Sequence, residues 1–173
     1  IQLVVALKPL NDINPMRRVV VSTYQSVTGT GVKAVAQMQN ERKGVQGDMA
    51  YKYQIDMNLI PQIDVFLENG YTKEEQKIMD ETKKIMGLPD LKITTTTVRV
   101  PVMGGHSESV NVQFKNPIDL AQVATSLVNF NGIKLLDNPS EAQYPMPITA
   151  HDNDYVWVGR IRKDDSADNA INL

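Results

Sequence analysis

Cysteine is absent from the 173 residues. That removes disulfides, thiolate metal sites and any thiol nucleophile at once. Histidine is nearly as scarce, and His106 with His151 as the only imidazoles makes a zinc site an unpromising reading. No apolar stretch approaches the roughly 20 residues that span a bilayer, and the amino end has no charged segment followed by an apolar run and a cleavage site. Eighteen basic residues against twenty acidic ones leave a formal charge of −2, with no basic run to displace counterions from a phosphate backbone. Neither a membrane nor a nucleic acid is an expected partner, and the reading is one cytoplasmic domain, residues 1–173, large enough for a single core. Both termini also lack what usually closes a chain: the first residues are the apolar run Ile1-Gln2-Leu3-Val4-Val5-Ala6-Leu7 without Met, and the last are Ile171-Asn172-Leu173 without a polar tail. Each end reads as a cut within a longer protein.

What is present alternates strand and helix signals without a regular order. Residues 1–8 fit a buried helix or strand that breaks at Pro9, where the N–H is missing and φ is fixed. Residues 19–24 read as a strand, and Thr28, Gly29 and Gly31 open a helix carrying Val32, Ala34, Val35 and Met38, closed by a polar loop at 44–48. An extended stretch over 53–66 follows. Thr72 with Glu75 is a capping-box pattern ahead of a helix to about Met86, with Ile78, Thr82 and Ile85 as its buried stripe. Residues 91–102 are rich in β-branched side chains. Residues 108–114 alternate Val110, Val112 and Phe114 inward with Ser109, Asn111 and Gln113 outward, and Gly104-Gly105 joins the two strands. Pro117 starts a helix through Val128, and short strands follow at 133–136 and 155–161. This order predicts an α+β domain with a mixed, largely antiparallel sheet and helices on one face. The uncovered face is a natural surface for a homodimer, because exposed Val and Ile there would leave an apolar patch that monomers rarely tolerate.

Three constellations have chemical potential. Arg99 lies in a β-branched strand, where its guanidinium fork can grip a carboxylate at two points, and His106 follows a glycine pair that lets the chain bend toward it. An imidazole titrates near neutrality and suits proton transfer; an exposed turn histidine beside a surface arginine fits the same pattern. Gln25 ends a strand just before a helix start, where an amide can both donate to and accept from a ligand, or simply occupy a turn. Glu81 and Lys84 stand three apart on the polar side of their helix, fit to meet an amine and a phosphate, or equally to form a solvated ion pair. Gly29-Thr30-Gly31-Val32-Lys33-Ala34 has the G-x-G-x-x-A spacing of a dinucleotide loop, but Gln25 to Thr28 separate it from the strand and no second βα unit supplies the acidic partner. Arg160 and Arg162 alternate on the last strand as surface residues do, and His151 sits in a solvated loop.

These pieces occur in one order. The runs VVVSTYQSVTGTGVKAV, IPQIDVFLENGYTKEEQKIMDETKKIMG, VRVPVMGGHSESVNVQF, PSEAQYPMPI and DYVWVGRIRKDDSADNAINL resemble the aspartate-semialdehyde dehydrogenases over essentially the whole chain, most specifically in HSESV and VGRIR. The resemblance implies a carboxy-terminal substrate-binding and dimerisation domain like that of glyceraldehyde-3-phosphate dehydrogenase. It further implies that Gln25 orients the substrate, Glu81 meets its amino group, Lys84 its phosphate and Arg99 its carboxylate, with His106 as the acid/base group. Enzymes of that family reductively dephosphorylate β-aspartyl phosphate to L-aspartate-β-semialdehyde with NADPH, through a thioester on a cysteine. That cysteine lies in an Asn-Cys-Ser/Thr motif directly before a segment like IQLVVALKPL. The family's Rossmann domain, which supplies most NADP contacts, and its final helix are missing here as well. The expectation is a domain that is inactive by itself, binds NADP weakly or not at all, and has Ile1 about 10 Å or less from the catalytic centre. A related acyl-phosphate reductase and a purely structural dimerisation module are the rival readings.

Overall fold

The structure, a computed structural model, describes residues 1–173. Helix α1 (Gln2–Ile13) leads into strand β1 (Met16–Ser26), a 3₁₀ turn (Val27–Thr30) and α2 (Val32–Arg42), then α3 (Lys73–Met86), β2 (Lys92–Val100), β3 (Ser107–Phe114) and α4 (Leu120–Val128). Short elements complete the chain: β4 (Ile133–Leu135), a 3₁₀ turn at Pro139–Glu141, α5 (Pro147–Ala150), β5 (Val156–Val158), β6 (Arg162–Lys163) and β7 (Ala170–Asn172).

Five strands form one sheet in the order β2-β1-β3-β7-β6, while β4 and β5 pair separately. β1 and β2 are parallel, joined by a crossover through α2 and α3, and the β1–β3, β3–β7 and β6–β7 pairs are antiparallel. The α+β class with a mixed, largely antiparallel sheet is therefore what the chain adopts. β2 and β3 are consecutive but not neighbours: β1 lies between them, so Gly104-Gly105 belongs to a connection over the end of β1 rather than a hairpin turn.

The core explains most of the element order. Val19 and Val21 of β1 and Val110, Val112 and Phe114 of β3 meet Leu3, Leu7 and Leu10 of α1 and Val123 and Leu127 of α4. Leu7, Leu10, Val112 and Leu127 are wholly buried. This period-3.6 stripe carries α1 straight through Pro9, correcting the expected break. An interior proline costs about 3 kcal/mol, and burying Leu3, Leu7 and Leu10, worth roughly 1.5–3 kcal/mol each, outweighs it. In α3 the buried positions are Glu75, Met79 and Thr82; Ile78 is partly buried, and the expected stripe residue Ile85 is 59% exposed.

Between α2 and α3 the chain is mostly irregular rather than extended, and polar groups of α2 hold it. Gln37 Oε1 accepts from the N–H groups of Ala50 and Tyr51, and Glu41 Oε2 from those of Ile55 and Asp56. The segment then shields the outer edge of β2, with Ile60 bridged to Arg99. The capping box at Thr72 and Glu75 is present as predicted, and Glu75 does more: its second oxygen accepts from Thr97 N at 2.8 Å, closing another edge position of β2.

Two expectations need correction. The last strand stops at Val158, and Arg160 turns with φ 60°, so Arg160 and Arg162 do not alternate on one strand. The helix-free face of the sheet exists, but Arg18, Val20, Ser22 and Tyr24 of β1, Thr96 and Val98 of β2, and Ser109, Asn111 and Gln113 of β3 line it. It is mainly polar, because the valines expected there point into the core.

Candidate functional site

The carboxyl ends of the parallel pair β1 and β2 create the site. Their register sets Gln25 beside Arg99 and Ser26 beside Val100. Odd-numbered side chains of both strands face the helix layer, so Gln25 and Arg99 share that face, 6% and 5% exposed. Gln25 Nε2 donates to Thr23 Oγ1 at 3.3 Å. Arg99 Nη1 donates to Ser26 O at 2.6 Å, while Arg99 Nε is buried without a partner. No carboxylate pairs with this guanidinium. Burial therefore pulls its pKa down, opposed more weakly by Tyr51 and Glu74.

His106 arrives from the other side of β1, in the residue preceding β3. Ser26 N donates to its Nδ1 at 3.1 Å, and Ser26 Oγ lies 3.2 Å from the same nitrogen. The preceding turn is pinned in turn: Gly104 O accepts from Ser26 Oγ at 2.7 Å and from Thr28 Oγ1 at 2.9 Å. Gly104 has φ +96°, and a Cβ there would lie 2.6 Å from His151 Nδ1, so only glycine fits. Desolvation and then the Arg99 charge hold the His106 pKa below its ordinary value, although part of the residue stays open to solvent.

Gly29 shows where these groups meet. A Cβ at Gly29 would lie 3.1 Å from Arg99 Nη1 and 3.2 Å from His106 Nε2. Gly29 thus lies directly against the Arg99–His106 pair, inside the 3₁₀ turn (Val27–Thr30) that follows β1, so the glycines do not follow the strand as in a dinucleotide loop.

The start of α1 closes the cleft on the β3 side. Gln2 Nε2 donates to His106 O at 3.1 Å, and the Gln2 amide lies close enough to Glu108 to favour its charged form. A cavity of about 470 Å³ adjoins this point, lined by Gln2, His106, Glu108, Trp157, Arg160 and Arg162 among others. Burial pushes the Glu108 carboxyl up to about 7, against the opposing pull of Gln2 and the Ile1 amino group.

Gln25, Arg99 and His106 thus come together. Glu81 and Lys84 do not: both are exposed on α3, seven residues beyond Glu74 and Lys77, which is about 10 Å along a helix axis. The acidic group whose charge reaches both Arg99 and His106 is Glu74, in the first turn of α3, with Lys77 Nζ 3.7 Å from its carboxylate. A spacing of seven returns a helix to nearly the same face, so Glu74-x-x-Lys77 and Glu81-x-x-Lys84 are successive copies of one pattern. The sequence displays both, and only the docking of the first turn of α3 on the end of β2 distinguishes them. Ser26, Gln2 and Glu108 were also missed; a buried serine and a strand glutamate carry no sequence signal of their own.

Known proteins share this sequence and fold. Residues 7–173 match the family described as semialdehyde dehydrogenase, dimerisation domain. The aspartate-semialdehyde dehydrogenase of Aquifex aeolicus is 48% identical over 170 residues, covering 95% of this chain and 50% of that protein. The Bacillus subtilis enzyme of the same name is 41% identical, covering 100% and 54%. A crystal structure of aspartate semialdehyde dehydrogenase II from Vibrio cholerae, complexed with ASA, superposes with a TM-score of 0.92 at 41% identity over 99% of this chain and 52% of that one. The chain spans about half the length of the relatives it matches. A fold with one open sheet face, a cleft at the ends of β1 and β2, and this match over nearly its full length agree: the chain belongs to the semialdehyde dehydrogenase dimerisation-domain family.

Proposed function

We propose that this chain is the substrate-binding and dimer-forming half of an enzyme that reductively dephosphorylates β-aspartyl phosphate to L-aspartate-β-semialdehyde with NADPH. The observation that carries the reading is Arg99: a buried residue whose guanidinium has no carboxylate partner and whose Nε is orphaned. A buried cation left unpaired is costly, and a ligand carboxylate gripped by the fork removes that cost. Gln25 beside it orients the same ligand. Glu74 faces the ligand's ammonium and Lys77 its phosphate, in place of Glu81 and Lys84. His106 offers its Nε2 edge to the reacting oxygen from across Gly29.

The chain contains no thiol and no dinucleotide loop, so the nucleophile and the hydride donor come from the other half of such an enzyme. Replacing the corresponding half of the Aquifex aeolicus enzyme with this chain tests the reading. The chimera is expected to oxidise aspartate semialdehyde in the presence of NADP and phosphate, and to lose that activity on His106→Asn. A folded chimera that turns over no semialdehyde refutes it. The 173-residue chain alone is expected to show no turnover and no saturable micromolar NADP binding.

We further propose that the open sheet face pairs with a second copy about a twofold axis. Its Ser, Thr, Asn and Gln side chains make this a hydrogen-bonded interface rather than the apolar one that composition suggests. Light scattering at twice the chain mass supports it, and a monodisperse monomer does not.

A further inference from the structure

The partners of His106 fix which ring nitrogen carries its proton. The antiparallel β1–β3 ladder ends at Tyr24 and Ser107, and the parallel β1–β2 ladder ends at Ser26 and Val100. Gln25 and Ser26 therefore lie past the β3 ladder but still within the β2 ladder. The Ser26 N–H goes to the His106 ring at 3.1 Å and its C=O to Arg99 at 2.6 Å. A backbone N–H can only donate, so the nitrogen it meets must be a lone pair. Nδ1 of the neutral ring is the acceptor and Nε2 carries the hydrogen. Nε2 is also the atom that faces the cleft over Gly29.

The hydroxyl of the same serine lies 3.2 Å from Nδ1. It donates to Gly104 O at 2.7 Å and also meets Thr28 Oγ1 at 2.6 Å; even when Thr28 donates to it, one of its two lone pairs stays free for an N–H. We propose that Ser26 is a positioning residue that serves His106 in both protonation states, its N–H fixing the neutral Nε2–H form and its Oγ receiving Nδ1–H when the ring is cationic. Resting on the functional reading above, this assigns the two forms different tasks. The neutral ring gives a hydrogen bond from Nε2 to a substrate oxygen but cannot take a proton there. To release a proton to that oxygen, the ring must first be the cation, with Nδ1–H turned to Ser26 Oγ and away from Ser26 N. When the proton leaves from Nε2 the ring is left as the neutral Nδ1–H form; the resting hydrogen bond reforms once Nε2 takes a proton from water and Nδ1 gives its own to Ser26 Oγ, which passes its hydroxyl proton on.

The other charges around the ring do not substitute for this contact. Arg99 from β2 and the Ile1 amino group from α1 disfavour the cation, and Glu74 from α3 favours it. Glu108 follows on β3, and Arg160 lines the adjoining cavity. His151 packs on Gly104 at the far side of the turn. Among these residues only Ser26 hydrogen-bonds Nδ1.

Two-bond ¹H–¹⁵N spectra of the ¹⁵N-labelled 173-residue chain read the tautomer directly, with His106 assigned by His106→Asn and no ligand present. At high pH the neutral ring is expected to show Nε2 as the protonated nitrogen. A neutral ring with its proton on Nδ1 overturns the proposal. Titrating the same signals in Ser26→Ala is expected to move the His106 midpoint to lower pH, because the cation loses its acceptor. Ser26→Thr, which keeps the hydroxyl, should restore it. An unchanged midpoint in a Ser26→Ala protein whose remaining spectrum is native overturns the assignment to Oγ. These readouts need neither substrate nor thiol, so they fail or succeed independently of the chimera assay.

Discussion

Replacing Glu108 by Gln should leave this domain nearly unchanged at pH 5 and make it more stable at pH 8. The carboxyl is held among Gln2, His106 and the cavity wall, and its burial raises it from 4.5 to about 7. In the unfolded chain it ionises at its ordinary value. Between those two values the folded state holds a proton that the unfolded state has released, so stability falls as pH rises. The contribution is fully present below about 4.5 and is gone above about 7. A tenfold difference in proton affinity between the two states corresponds to about 1.4 kcal/mol; with some allowance for water in the open cavity, the loss is about 2 to 3 kcal/mol. Glutamine keeps the shape and a polar group beside Gln2 without the charge, which removes the pH-dependent part alone. His106 acts in the opposite sense over part of the window: its lowered pKa makes acid destabilising as the unfolded imidazole takes up a proton. Because both proteins carry His106, that contribution cancels in their difference. Urea unfolding of both at pH 5 and pH 8 measures it. Wild type and Glu108→Gln with the same stability difference at both pH values would mean that Glu108 ionises freely in the folded state.

Four further outcomes follow from the same contacts. Leu7→Ala or Leu10→Ala, at wholly buried positions of α1, should cost about 2 to 5 kcal/mol in urea unfolding; a loss below about 1 kcal/mol would mean that α1 is not part of the core. Thr72→Ala should cost about 1 kcal/mol through the lost cap, and Glu75→Ala more, because it also leaves Thr97 N–H buried without a partner. In the chimera, Arg99→Lys should raise KM at least tenfold by losing the two-point grip, and Glu74→Ala should impair turnover while Glu81→Ala and Lys84→Ala do not; the reverse pattern restores the original pair. On the open sheet face, Val20→Glu should convert a dimer into a monomer by light scattering without lowering the melting temperature of the isolated fold.

The parts of the fold that sequence revealed are those where one local rule dominates. The Thr72–Glu75 capping box and the alternation of Val110, Val112 and Phe114 each have a single local solution, and the structure contains both. Pro9 misled because a local rule was outweighed by tertiary burial: the stripe Leu3, Leu7 and Leu10 is visible only if the helix is allowed to continue past the proline. β6 and β7 are two and three residues long, shorter than any periodicity can register, and they exist because β3 offers them an edge. The polar sheet face was misjudged for a related reason. The count of Val and Ile was right, but their alternation sends nearly all of them to the side where α1 and α4 wait.

The site separates along a different line. The convergence of Gln25, Arg99 and His106 on one cleft was legible because each stands at the end of a strand or beside a turn, where side chains from different elements meet. Glu74 was not, since its pattern is repeated seven residues later on the same helical face, and a helix of 14 residues presents both copies equally to any reading that knows only spacing. What breaks the tie is the direction in which α3 crosses β2. Glu75 must reach Thr97 N to close the strand edge, and Thr97 is two residues from Arg99, so the first turn of α3 is fixed at the cleft and the second copy is carried away from it. Glu75 is thus the anchor that holds its neighbour Glu74 at the cleft. Shifting that anchor is the sharpest check: Glu75→Gln keeps an acceptor for Thr97 N and should preserve semialdehyde turnover in the chimera, whereas Glu75→Ala releases the first turn and should lower turnover together with Glu74→Ala, with little added loss in the double variant. Full additivity of the two losses would show that Glu74 is placed by something other than the Thr97 contact.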